Sequence, residues 1–430
     1  MSGTKPLSDF TQTQLTELKT ELDREYELIK GNPVALNLSR GKPAVDQVAL
    51  SDKMEDVIAG DYFDSTGTDV RNYGEIRGIA DGRALGEELM GVPAANIIAG
   101  GNSSLFLMHL VTATALTHGL WGDERRWANA KPVKILAPVP GYDRHFALTQ
   151  SLGIEMIPVS MGPDGPDMDQ ARALASADPA IKGIWCVPKY SNPTGCVYSD
   201  QVVDEMAALP DVAAADDFVV LWDNAYAAHD FNLPGRELKS IFAAAQAAST
   251  ADHVVQFAST SKITFAGGGV AFVASSERVL KALEERLSFM MIGPDKVNQL
   301  RHARFLGGRL EQHMQAHAAL LKPKFDAVEE TLSKELGDLD IAQWTQPGGG
   351  YFVSLDVKPG LAHAIVSMAK EVGLTLTPAG ATYPYGQDPD DSNIRIAPSF
   401  ASLEELRTAM QILTLCVKLA SVREQMKTLP

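Results

Sequence analysis

The sequence predicts an α/β protein, with a large domain on a mixed, mostly parallel sheet flanked by helices and a smaller α+β domain beside it. Three observations carry this expectation. Apolar strand-like runs alternate with helical segments between residues 133 and 274. Those runs are continuously apolar, the pattern of strands covered on both faces. After residue 347 the rhythm changes to strand, helix, two strands and a closing helix, a different arrangement of layers. A chain of 430 residues has the capacity for two cores. The large domain is expected over 52–308 and the small one over 1–51 together with 309–430.

The elements follow in order. Leu15, Leu18, Leu22, Tyr26 and Ile29 recur at steps of three or four, which predicts an amphipathic helix. Ser8 or Asp9 is its expected cap and Gly31-Asn32-Pro33 its end. Leu36 to Leu38 reads as a short extended piece entering the turn Ser39-Arg40-Gly41-Lys42-Pro43. Such a turn is commonly plain surface; alternatively Arg40 faces a bound anion and Gly41 permits its close approach. Residues 64–83 read as an ordered loop followed by a helix. Asn96 to Ala99 reads as strand or turn, and Gly100, Gly101, Asn102, Ser103 and Ser104 then lead into an apolar helix over 105–116. Free backbone N–H groups and hydroxyls at such a start suit a phosphate, although a helix merely capped by Ser or Asn looks the same. Strands are expected at 133–137, 154–159, 183–187, 219–223, 254–258 and 270–274, with helices at 143–152, 168–177, 199–209 and 235–248. Residues 277–333 read as long helices broken at 291–296. The tail reads as strand 351–357, helix 361–373, strands 374–377 and 393–397, and helix 402–420.

Composition narrows the function. Fifty-four acidic against 38 basic residues give a formal charge of −16, opposite to the basic footprint of a nucleic-acid-binding protein. Local arginines still permit a small anionic ligand. Three cysteines, Cys186, Cys196 and Cys416, lack metal-ligand spacing and suit a reducing compartment. Residues 1–30 are polar and helical without an apolar signal core. No apolar run approaches the roughly 20 residues that span a bilayer. A cytoplasmic protein is expected, with no metal, no nucleic acid and no membrane partner.

The chemistry concentrates at the C-terminal ends of the expected strands, where α/β sheets bind ligands. One such tail is Ala258-Ser259-Thr260-Ser261-Lys262-Ile263-Thr264-Phe265-Ala266-Gly267-Gly268-Gly269. Taken alone it reads as a glycine-rich turn. A lysine among residues too small to let its amine reach water is, however, placed to become a nucleophile toward aldehydes. The other tails supply Tyr142, Asn192, Asp223 and Tyr226. Together they match the needs of an aldehyde cofactor with a pyridine ring and a phosphate. Lys262 is the amine, Asp223 a partner for the ring nitrogen and Tyr142 a stacking aromatic. Asn192 and Tyr226 are hydrogen-bond partners for the ring oxygen. Gly101, Asn102, Ser103, Ser104, Ser259 and Ser261 are the phosphate surround.

With these motifs in their observed order, the sequence resembles the fold-type-I, pyridoxal-phosphate-dependent class I aminotransferases over nearly its whole length. The most specific segments are Ser191-Asn192-Pro193-Thr194-Gly195, Asp223-Asn224-Ala225-Tyr226 and Ser259-Thr260-Ser261-Lys262. The run from Ser261 to Ala271 resembles more narrowly a divergent aspartate aminotransferase branch related to the effector domains of MocR-type regulators. The resemblance implies that Lys262 is the Schiff-base lysine and that Arg395 clamps the substrate α-carboxylate. It also implies a homodimer in which Tyr73 reaches the phosphate of the neighbouring subunit. The implied reaction is ping-pong: the freed Lys262 amine moves a proton between Cα and C4′, and a 2-oxo acid leaves before a second one enters.

One departure stands out. The family's phosphate-binding arginine falls at Val270 here, so the Gly267–Gly269 backbone, Lys296 or Arg40 has to serve instead. The expected substrates are aspartate and 2-oxoglutarate, which need a second cation besides Arg395; Arg144 and Arg40 are the candidates, with Gly41 and Asn192 beside them. Alanine or aromatic donors, or a lyase or decarboxylase on the same fold, are the alternatives. A serine acylase built on Ser259-x-x-Lys262 needs companion S-D-N and K-T-G motifs, and only Asp391-Ser392-Asn393 occurs. A DNA-binding regulator needs a basic module that the first 30-odd residues lack.

Overall fold

A computed structural model describes residues 5–428. An eight-stranded mixed sheet organises the centre of the chain. Its strands run in the order Ile97–Ala99, Ala271–Ala274, Val254–Ser259, Val219–Asp223, Ile181–Cys186, Lys134–Val139, Glu155–Gly162 and Gly165–Pro166. The central strands pair in parallel. Ala271–Ala274 runs antiparallel to both of its neighbours. Every residue of Ile181–Cys186 and Val219–Asp223 is buried, as expected for strands covered on both faces. Separate apolar clusters lie on the two faces, one around Trp127, Trp185 and Phe257, the other around Phe218 and Trp222.

A second, three-stranded antiparallel sheet places Val353–Val357 between Ala342–Trp344 and Asn393–Ile396. It shares a large apolar cluster with the N-terminal segment, through Leu15, Leu22, Tyr26 and Leu38. The N-terminal helix Gln12–Lys30 packs on the closing helix Leu403–Thr428. Leu36–Asn37 adds in parallel to Leu374–Thr375 and carries the following turn toward the central sheet.

Several expectations are corrected. Neither Ser8 nor Asp9 caps the first helix; Thr11 does, through a reciprocal capping box with Gln14. Any helical character of residues 1–4 lies outside the described residues. The helix expected at 235–248 begins only at Ile241, because the Ser240 side chain accepts from Ala243 N and starts it there. The long helical stretch breaks a second time at Gly307-Gly308, giving helices Lys296–Leu306 and Leu310–Leu336. Strands Ala342–Trp344 and Gly165–Pro166 had no sequence signal, being two or three residues long.

Candidate active site

Two adjoining cavities open at the C-terminal ends of the parallel strands. The smaller, of about 180 Å³, is lined by Ser103, Ser104, Tyr142, Asn192, Asp223, Tyr226, Ser259, Ser261 and Lys262, with Arg144 at its edge. The larger, of about 590 Å³, shares Tyr142, Arg144, Asn192, Tyr226 and Lys262 and adds Ser39, Arg40, Gly41, Asp143, Phe352, Thr377 and Arg395. Residues distant in sequence thus meet around one lysine.

Lys262 follows the Val254–Ser259 strand in a tight turn. Its backbone carbonyl accepts from Tyr351 Oη at 3.2 Å and lies 3.4 Å from His229 Nε2. His313 Nε2 meets the next carbonyl, that of Ile263, at 2.7 Å. The amine stands 5.0 Å from the centre of the Tyr226 ring. Desolvation depresses its pKa below the ordinary lysine value, against the opposing pull of the Asp223 carboxylate. A lysine so placed holds a larger neutral, nucleophilic fraction than a surface lysine.

Asp223 ends its strand fully buried. Oδ2 accepts from His145 Nε2 at 3.0 Å, while Oδ1 has no partner. His145 is held in turn by stacking on Trp185, with ring centroids 4.3 Å apart, and Trp185 donates to Thr149. His145 was not singled out from the sequence. The available signal was its place three residues after Tyr142, one turn into the helix Asp143–Ser151. Tyr142 and Tyr226 are both shifted upward by burial first, so their phenols remain hydrogen-bond donors at any ordinary pH. The chain reaches Tyr142 through a turn that requires glycine: a Cβ on Gly141 would lie 2.3 Å from Pro138 O.

The helix Ser104–Thr117 points its start at the smaller cavity, and no side chain caps its first turn. Phe106 N donates to Ser103 O at 3.1 Å, and the amides of Ser104 and Leu105 at the helix start suit an anion. Gly101 and Asn102 line neither cavity; they fasten the loop instead. Ala271 N donates to Gly101 O, Ser261 Oγ to Asn102 O at 2.7 Å, and Asn102 Nδ2 to Gly267 O at 3.0 Å.

Arg395 lies in the Asn393–Ile396 strand, 6% exposed, over the Phe352 ring at 4.8 Å. Nη1 donates to Asn192 Oδ1 at 3.2 Å and to Asp143 Oδ1 at 2.7 Å. Phe352 was not foreseen; with Tyr351 it precedes the Val353–Val357 strand and turns toward the site. Gly41 belongs here for a steric reason, because a Cβ would fall 2.5 Å from Phe352 Cζ. Arg40 and Arg144 are both exposed and form no ion pair among the described residues. Lys296 does not line either cavity: it is buried, and its amine donates to Tyr73 O at 3.0 Å. Tyr73 itself lines neither cavity and is 79% exposed.

The chain as a whole has counterparts among known proteins. A family model described as "Aspartate amino-transferase" matches residues 10–428. The aspartate aminotransferase of Corynebacterium glutamicum is 42% identical over 418 residues, 96% of each chain. The crystal structure of an aspartate transaminase from that organism superposes with a TM-score of 0.94 at 41% identity, covering 98% of this chain and all of the other. LysN, the α-aminoadipate aminotransferase of Thermus thermophilus, complexed with N-(5′-phosphopyridoxyl)-L-leucine, shares the fold at 20% identity and a TM-score of 0.74, over 94% of this chain and 95% of its own. The protein is therefore a transaminase with the fold-type-I architecture. The chain belongs to the aspartate aminotransferase family.

Proposed function

We propose that this chain moves an amino group between aspartate and 2-oxoglutarate, using pyridoxal 5′-phosphate held at Lys262, and works as a cytoplasmic homodimer. The observation that carries the reading is Asp223, a buried residue that lines the cavity holding Lys262 and whose Oδ1 has no hydrogen-bond partner. An unpaired polar atom of this kind is costly, and a cofactor ring bearing an N–H satisfies it. The remaining lining fits the same group. Tyr142 offers a stacking ring, Asn192 and Tyr226 partners for a ring oxygen, and the start of the helix Ser104–Thr117 with Ser103, Ser104, Ser259 and Ser261 an anion cradle. Gly101 and Asn102 shape that cradle from behind. At the Val270 position, which lacks the arginine, the helix start and the hydroxyls of Ser103, Ser104 and Ser259 serve better than Lys296, which lines neither cavity.

When bound, pyridoxal phosphate supplies an aldehyde to which amines add and a ring that takes up electrons as the substrate's Cα–H bond breaks. The chain supplies the rest. Lys262 Nζ takes and returns the proton at Cα, and its desolvation keeps it neutral enough to do so. His145 Nε2 holds Asp223 Oδ2 and so fixes the carboxylate that lines the cavity, with Oδ1 left without a partner. Arg395 grips the α-carboxylate with its forked N–H groups, a match that a lysine lacks. Arg144 and Arg40, unpaired beside Gly41 at the mouth, provide a second cation for the side-chain carboxylate of aspartate. The name of the Corynebacterium glutamicum relative and the phosphopyridoxyl ligand of LysN support this reading.

The domain division, 52–308 against 1–51 with 309–430, is supported by the apolar cluster shared between the two chain ends. The dimer is supported by the exposed apolar residues Tyr73, Phe289, Met290 and Ile292, whose two segments are joined by Gly74 N donating to Ile292 O. From there Tyr73 serves the cofactor phosphate of a second subunit. The compartment accords with three free cysteines. Reconstitution with pyridoxal phosphate tests the proposal. Wild-type protein should turn yellow and Lys262→Ala should not; a colourless wild type contradicts it.

A further inference from the structure

We propose that Asp143 is a built-in competitor for the substrate carboxylate, occupying the Arg395 guanidinium until an acid displaces it. The inference rests on the reading of Arg395 given above. Every nitrogen of the guanidinium has a partner within the chain. Nε and Nη2 donate to Thr377 Oγ1 at 3.3 and 3.2 Å, and Nη2 also faces Ser39 O at 3.4 Å. Nη1 donates to Asn192 Oδ1 at 3.2 Å and to Asp143 Oδ1 at 2.7 Å.

These partners are not equally free to leave. Asn192 and Thr377 are buried, and Ser39 contributes a main-chain carbonyl. Asp143 makes the shortest contact and the only charged one, yet its side chain is 30% exposed and lines the larger cavity. It can turn to water where the others cannot. Among the described residues it is also the only acid lining that cavity, against Arg40, Arg144, Lys262, Lys370 and Arg395.

An entering carboxylate thus exchanges one anion for another on the same guanidinium. The attraction it gains is offset by the attraction that Asp143 gives up. Apparent affinity is reduced by the fraction of molecules in which the arginine is free. If Asp143 holds Arg395 in about nine molecules of ten, that reduction is about tenfold. The same exchange keeps a buried cation from standing unpaired between turnovers.

The test is calorimetric titration of succinate, an unreactive dicarboxylate, into cofactor-loaded wild type, Asp143→Asn and Asp143→Ala. KM and kcat for the amino and oxo acids are measured on the same preparations. We expect the succinate dissociation constant and both KM values to fall by about tenfold in Asp143→Ala. Asp143→Asn should fall less, since its amide oxygen can still accept from Nη1 without charge, and kcat should not rise in either. Constants that rise in both variants make Asp143 a support for Arg395 and overturn the proposal. Constants that stay within about twofold overturn it as well, since displacement then costs binding too little to matter. A wild type that takes up no cofactor refutes the underlying transaminase chemistry along with it, and is recognised by its missing visible absorbance rather than by the variants' succinate constants.

Discussion

Gly41→Ala is the substitution whose effect follows most directly from the geometry. The added Cβ would lie 2.5, 2.9 and 3.2 Å from three atoms of the Phe352 ring. That ring is buried, 5% exposed, so it cannot swing away into solvent. It also forms the surface under the Arg395 guanidinium, 4.8 Å distant. Inserting a methyl into such a contact costs about 1–3 kcal/mol. If the whole cost falls on the substrate-bound form, KM rises by about 5- to 150-fold. The effect should appear equally for the amino acid and the oxo acid, because both present an α-carboxylate to Arg395. Cofactor absorbance should be unchanged, since Gly41 lines only the larger cavity. Steady-state kinetics with both substrates, paired with a visible spectrum, reads all three quantities. An unchanged KM would refute the claim that the N-terminal turn frames the carboxylate pocket.

Other residues make further predictions. Replacing His145 with Ala leaves Asp223 Oδ2 as unpartnered as Oδ1, so thermal unfolding should report a loss of about 1–3 kcal/mol and turnover should fall with it. Lys262→Ala should lose, in stopped turnover assays, at least the ~10²–10⁴-fold that a positioned base contributes. His317, against His313, has its pKa pushed down to about 4 by burial from the ordinary 6.5. Below 6.5 the unfolded chain takes a proton that the folded one refuses, so stability falls as pH drops from about 6.5 to about 4, by roughly 3 kcal/mol from this group. Denaturant titrations of His317→Gln should show a flatter dependence in that window. Ile292→Asp puts a charge among the exposed apolar residues that include Tyr73, and sedimentation should show it shifted toward monomer relative to wild type.

Much of this arrangement was legible in the sequence, for identifiable reasons. Strand Val219–Asp223 falls where expected because five consecutive apolar or strand-ending residues in a doubly covered sheet leave one reading. Asp223, Lys262 and Asn192 were found because Asp223 ends a strand and the other two lie in the turns that follow one, where α/β sheets collect their ligands. What the sequence concealed depends on contacts between distant segments. His145 became visible only when Asp223, 78 residues later, was seen to accept its hydrogen bond. Phe352 and Asp143 matter because the C-terminal sheet folds over the turn at Gly41, and no periodicity reports such a meeting. Lys296 lines neither cavity, and a lone lysine after Gly-Pro-Asp gives no hint that a backbone carbonyl, Tyr73 O, accepts from its amine. The cap at Thr11 was missed because Ser8 and Asp9 are equally good cap residues, and only the capping box with Gln14 chooses between them.

Rates of oxo-acid formation from a panel of amino donors, with 2-oxoglutarate as acceptor and cofactor-loaded wild-type protein, decide whether the chain prefers aspartate. Two unpaired arginines at the mouth of the cavity, in addition to Arg395, predict that aspartate outruns alanine and the aromatic amino acids. A clear preference for alanine or an aromatic donor would contradict the account.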